Sequence, residues 1–217
     1  QLSNTERYQF MKTLYFNINT GANENAKSFF TPKEPRRNKD GSKHASDKSV
    51  EEQYDAFLKD AALDPMTGKI LVIHCWSNLS NEMVFYNNDE ESIITAFWID
   101  YAQHDRFVTH NGNNFDWPFI IRRSLMLGIE VPLFPYDRFK FSDVHVDMAE
   151  IWNFGRVTAA TCVSLRNLCK AMGVDAGLKE TNPEISENFE HEFKTNYERT
   201  MQYAADEVRV LRELDLK

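Results

Sequence analysis

Three cysteines in 217 residues are too few, and too oddly numbered, for a disulfide framework. Cys75, Cys162 and Cys169 also lack the close pairing of a zinc site, and they read as buried thiols in a reducing, cytoplasmic compartment. Cys162 and Cys169, seven apart, are expected on one face of one helix. No apolar run is long enough to span a bilayer and no charged-then-apolar leader is present, so a soluble protein without a membrane partner is expected. The chain opens on Gln1 rather than Met, which reads as a trimmed or processed piece. Basic charge is also scarce, with 25 Lys and Arg against 33 Asp and Glu, a net charge of −8. That balance excludes a protein that coats nucleic acid indiscriminately, because phosphate contacts demand clustered Lys and Arg.

What the chain has is 42% hydrophobic content, no internal repeat and no low-complexity tract, which suits one α/β domain over residues 1–217 with a substantial core. Thr13 to Gly21 reads as a first strand that ends in a glycine turn. A flexible basic loop follows at about 22–49; Lys33, Arg36, Arg37, Lys39, Lys43 and Lys48 fall in it with no apolar period. Helix 50–63, strands 69–76 and 83–86, helix 89–103 and strand 106–109 come next. Helices are then expected at 147–153, 164–172 and 197–216. Three strands, a helix, another strand and mainly helices is the order of a mixed β-sheet flanked by helices.

Three segments carry chemistry. The most informative is His110-Asn111-Gly112-Asn113-Asn114-Phe115-Asp116, which puts Asp116 where a buried strand gives way to an amphipathic helix carrying Phe119, Ile120, Leu125 and Leu127. Small and amide residues beside a carboxylate let a nucleic acid backbone approach, as a metal-dependent phosphodiesterase needs. Taken alone, an Asp after Asn-Asn is equally an ordinary helix cap. On the first strand Asn17 and Asn19, two apart, share one face. On the last helix Tyr203 and Glu207 lie one turn apart, while Asp206 points about 100° away.

Together these segments resemble the DEDD superfamily of 3'-5' exonucleases, whose fold is RNase H-like, and most closely its tyrosine branch. Stand-alone enzymes similar to the proofreading domain of family B DNA polymerases belong to that branch. Its first motif is Asp-x-Glu on the first strand, its second an Asn-x-x-Phe-Asp segment, its third Tyr-x-x-x-Asp on a late helix. His145-Val146-Asp147-Met148 and the segment from Ser164 to Val174 look like its connecting segments, so the likeness extends from about Lys12 to Leu214.

The resemblance implies that Asn17, Asn19, Asp116 and Glu207 stand at the positions that hold two ions, Mg²⁺ or Mn²⁺. Tyr203 would orient the attacking water. It implies single-stranded 3' ends as partner, DNA ahead of RNA, with Asn113, Phe115, Thr20 and Arg122 at the substrate. Arg123 is an alternative phosphate contact. Asp147 is expected to support structure, and Phe115, Trp117 and Trp152 either stack on bases or pack in the core. Two departures bear on activity: Asn17 and Asn19 replace two of four carboxylates with neutral, weaker ligands, so an impaired or inactive chain is expected. Engineered inactivation and natural loss of chemistry both account for them. The alternative is a non-catalytic pseudo-exonuclease that binds or scaffolds in a replication, repair or defence assembly.

Overall fold

In a computed structural model, described here for residues 11–41, 48–86, 89–132, 144–175 and 189–217, β1 (Thr13–Ala22) is the middle strand of a five-stranded sheet. β2 (Gly68–Ser77) and β3 (Glu82–Tyr86) extend the sheet antiparallel on one side. On the other side β4 (Arg106–Thr109) and β5 (His145–Asp147) run parallel, giving the order β3-β2-β1-β4-β5. The helices are α1 (Val50–Ala61), α2 (Glu90–Tyr101), α3 (Asp116–Leu127), α4 (Met148–Trp152), α5 (Leu165–Met172), α6 (Phe189–Thr195) and α7 (Tyr197–Asp215). The expected mixed sheet flanked by helices is therefore the observed one.

Alternation along β1 separates two cores. Leu14, Phe16 and Ile18 face α2 and α3, where Ile93, Phe97, Trp117 and Ile120 are buried with them. Tyr15 faces the other way, into a cluster with Val108, Met148, Leu168, Val208 and Leu211. Asn17 and Asn19, in phase with Tyr15, thus face α7. An ion pair fixes α7 along its axis: Arg106 on β4 donates two hydrogen bonds to Asp215, at 2.6 and 2.5 Å, and the Tyr15 hydroxyl donates to the same carboxylate at 2.7 Å.

Several expectations change. The glycine turn after β1 is absent, since the strand continues through Gly21 to Ala22. A Cβ at Gly21 would lie 2.8 Å from Glu190 Oε2, so the glycine serves the close approach of α6, whose Glu190 accepts from the Ala22 amide at 3.1 Å. Within the stretch read as loop, Glu24–Phe29 forms a 3-10 helix opened by Asn23, whose side chain accepts from the Asn25 amide. Lys43 lies outside the described residues. Cys162 precedes α5 and does not share a helix with Cys169; it is half-buried, whereas Cys75 and Cys169 are buried. Leu125, expected on the core face of α3, is exposed. No helix among the described residues is long and apolar enough to cross a membrane.

Candidate active site

The Asn111 to Asp116 segment is shaped by its neighbours. Asn111 adopts a left-handed backbone (φ 60°), and a Cβ at Gly112 would sit 2.2 Å from the Thr109 hydroxyl, so only glycine fits there. Buried Asp147, at the end of β5, clasps the loop: its carboxylate accepts from the amides of Asn111 at 2.7 Å, Asn113 at 3.1 Å and Ala149 at 3.0 Å, the last capping α4. The expectation of a supporting role for Asp147 matches this geometry.

Asp116 is the first residue of α3, and it caps nothing in its own helix. β4 stops at Thr109 and pairs with β1 only as far as Tyr15, which leaves the Ile18 N–H without a strand partner on that side. The Asp116 carboxylate accepts it at 3.0 Å. Asp116 is thereby held against the backbone between Asn17 and Asn19, and the capping reading gives way to a long-range contact.

From the other face α7 brings Glu207. The Asn17 amide donates to Glu207 Oε2 at 2.9 Å, and Asn19 and the Tyr203 hydroxyl also hydrogen-bond that carboxylate. The structure thus brings Asn17, Asn19, Asp116, Tyr203 and Glu207 together around one end of β1. Asp206 turns away to an ion pair with Arg209 at 3.3 Å, which leaves Glu207 as the acid of α7 that faces the cleft. Sequence reasoning missed His74 of β2, fully buried, whose Nε2 is 3.2 Å from the Asn17 amide nitrogen and 3.7 Å from Glu207. Register places it there, because His74 lies opposite Asn17 across the β1–β2 ladder, a pairing that no single segment reveals.

Burial sets the charges. Asp116 is pushed up to about 8 by desolvation, despite its backbone hydrogen bonds, with Asp147 and Glu207 adding like-charge repulsion. Glu207 is pushed up to about 7 by burial against the opposing pull of Tyr203, Asn17 and Asn19, although its side chain keeps 16% of its surface open. Desolvation lowers His74 to about 3, so its approach to Glu207 is a contact with a neutral imidazole. The Tyr203 phenol is raised by burial and by Glu207, and stays protonated.

Whether this donor set fits two divalent ions follows from its chemistry. Among the described residues no three His, Cys, Asp or Glu side chains cluster so as to hold a metal. The Asn19 Oδ1 is a buried acceptor without a partner, as an ion ligand would be, yet of the five converging residues only Asp116 and Glu207 are acids. N–H and O–H donors occupy the surroundings of Glu207 where cations would sit. As the chain stands, the residues do not fit a metal pair.

The residues expected at the substrate divide. Thr20 and Phe115 line a groove of about 920 Å³ that opens from Asn19 and is bounded by α1 and α6. Phe115 also packs on the first core, 5.5 Å from Phe119 between ring centres. Asn113 is held by Glu150, its amide donating at 2.8 Å, with its Oδ1 buried and unpartnered. Arg122 is not gathered into the cleft: it is exposed, six residues and so about 240° around α3 from Asp116. Arg123, expected as a phosphate contact, is buried and donates to Glu90 at 2.8 and 2.6 Å and to the Pro65 carbonyl at 3.1 Å. Trp117 is core and reaches no base, whereas Trp152 is 43% exposed.

Known proteins bear on this arrangement at the level of fold. A search of curated proteins returns no match. Among solved structures, that of the family B DNA polymerase from the hyperthermophilic archaeon Pyrobaculum calidifontis is similar, with a TM-score of 0.58 and 17% identity over 94% of this chain. The chain spans 24% of that polymerase's length, and at this identity the likeness shows a shared fold alone. A family model described as RNase_H superfamily matches residues 60–216, which takes in Asp116, Tyr203 and Glu207 but neither Asn17 nor Asn19. RNase H-like nucleases act through divalent metals, which makes a nuclease-type function the coarse reading of the fold. With that match over most of its length and the five-stranded mixed sheet to bear it out, the chain belongs to the RNase_H superfamily.

Proposed function

We propose that this chain is a 3'-5' exonuclease-type domain of the tyrosine DEDD branch that seats the 3' end of single-stranded nucleic acid, DNA in preference to RNA. Its cleft is the one between β1, α3 and α7. The observation that carries the reading is the convergence of Asn17, Asn19, Asp116, Tyr203 and Glu207, spread over 190 positions of sequence, on one end of β1, beside a groove that opens from Asn19. Tyr203, protonated beside Glu207, is suited to orient a water at a scissile phosphate, and Phe115 and Thr20 to meet the terminal nucleotide. Hydrolysis itself belongs to a form with carboxylates at 17 and 19, with Mg²⁺ or Mn²⁺; with amides there the chain is impaired or inactive. Buried Cys75 and Cys169 suit a reducing compartment such as the cytoplasm.

The test is degradation of a 5'-labelled single-stranded oligonucleotide with Mn²⁺, by the chain as it is and by Asn17→Asp combined with Asn19→Glu. Stepwise shortening from the 3' end by the double variant alone supports the reading. A second reading has its own support, since Glu207 already accepts hydrogen bonds from two amides and the Tyr203 hydroxyl: a non-catalytic nucleic-acid-binding or scaffolding domain within a larger replication, repair or defence assembly. Tight binding by both forms with shortening by neither would favour it.

A further inference from the structure

A second cavity, about 720 Å³, lies between the 3-10 helix, the segment that follows it and α1. Three cations, Lys33, Arg36 and Lys48, line it in a chain whose net charge is −8. They share it with two acids, Glu34 and Asp60, so its balance is cationic by one where the whole molecule is anionic. Its floor is aromatic. Phe29 is 52% exposed, and behind it Phe30 packs on Tyr54 and Phe57 with ring centres 5.0 and 5.4 Å apart. The basic residues are placed by Gln53 of α1. Its side chain accepts from the Lys33 amide at 2.8 Å and donates to the Lys48 carbonyl at 3.1 Å, so one residue ties the backbone at both positions to one helix. Asp60 lines both this cavity and the groove that opens from Asn19, so the two depressions adjoin along α1.

Positive side chains around an exposed ring, in a cavity that meets the groove from Asn19 at Asp60, form the combination that holds single-stranded nucleic acid: cations track phosphates and a ring takes a base by stacking. We infer that this cavity is an upstream subsite, which grips the strand several nucleotides before the end seated at Asn17, Asn19 and Glu207. The proposal rests on the end-binding reading above. It gives the substrate a minimum length: a strand too short to cross the groove gains nothing from Lys33, Arg36, Lys48 or Phe29.

Affinities of the full chain for dT oligonucleotides of about three and about twelve nucleotides test it. The Lys33→Ala, Arg36→Ala, Lys48→Ala triple variant is expected to bind the longer strand at least tenfold more weakly and the shorter one unchanged. Its log affinity against log salt should flatten by about 2, the value for three lost phosphate contacts on a single strand. Phe29→Ala should cost about tenfold on the longer strand alone, as loss of one stacked base does. Unchanged affinity of the triple variant for the longer strand, or an equal loss on both lengths, would overturn the subsite. The end-binding reading fails separately, if blocking the 3' hydroxyl with phosphate leaves binding of the three-nucleotide strand unaltered.

Discussion

Asn17 donates to Glu207, a neutral amide facing a buried acid, and this one hydrogen bond decides much of how the site behaves. Replacing Asn17 with Asp would put two carboxylates 2.9 Å apart with no donor between them, a like-charge contact that only a proton or a cation relieves. The expected outcome is that Asn17→Asp lowers the melting temperature in chelator by several degrees and that Mn²⁺ restores it, whereas the chain as it is shows little response to Mn²⁺. Differential scanning fluorimetry with and without the ion checks it. Asp116 gives a pH dependence. Its folded pKa, about 8, stands above the ordinary carboxylate value, so the folded state holds a proton that the unfolded chain has released. Its contribution to stability is fully present below the ordinary carboxylate range, declines as pH rises through the interval, and is lost above about 8. Glu207, raised to about 7, acts in the same sense. Asp116→Asn should flatten the fall in urea-unfolding free energy between pH 5 and 8; an unaltered slope would mean that Asp116 is ionised in the fold.

At the scale of elements, the loop that presents Asp116 depends on Asp147 as well as on its own Gly112. Asp147→Ala would leave the amides of Asn111, Asn113 and Ala149 without their acceptor, at a cost of about 3 kcal/mol or more, and is expected to loosen the cleft as well as the fold. Chemical denaturation together with oligonucleotide binding measures both. Arg123→Ala separates the buried ion pair from the phosphate contact first expected: breaking the pair with Glu90 should cost about 3–5 kcal/mol of stability, while the salt dependence of nucleic acid binding stays as it was. Some of this was legible in the sequence. Local pattern located β1, β4, α2 and α7 within a residue or two, because β1 and α7 each have an apolar face that repeats along several turns or pleats, while β4 and α2 are apolar runs bounded by polar residues. β5 was hidden because three residues, His145–Asp147, are too few to show alternation, so Asp147 read only as the helix start that it is and not also as a strand end. α6 was hidden because its seven residues have a polar majority and are held by Phe189 and Glu190 against β1 and β2, contacts that no local pattern carries. Arg123 misled because a cation beside a site motif reads as exposed until Glu90, 33 residues away, is placed beside it.

Across the whole molecule the sheet order does the assembling. β1 at the centre carries Asn17 and Asn19; β4, next to it, ends early enough to let Asp116 reach the open edge of β1; β2, on the other side, supplies His74; and the Arg106–Asp215 pair sets α7 so that Glu207 faces the same end. The five residues were legible as a motif set, but their meeting depended on strand order and on the axial setting of one helix, which are properties of the complete fold. The groove from Asn19 runs along α1 beside these residues. Recognition of a strand end is the property proposed for this arrangement. It is tested most directly by the affinity of the chain for linear single-stranded DNA against the same sequence closed into a circle, repeated with Glu207→Ala. A strong preference for the linear form that Glu207→Ala removes is expected; equal affinity for circle and linear strand, with the variant indistinguishable from the parent, would contradict end recognition.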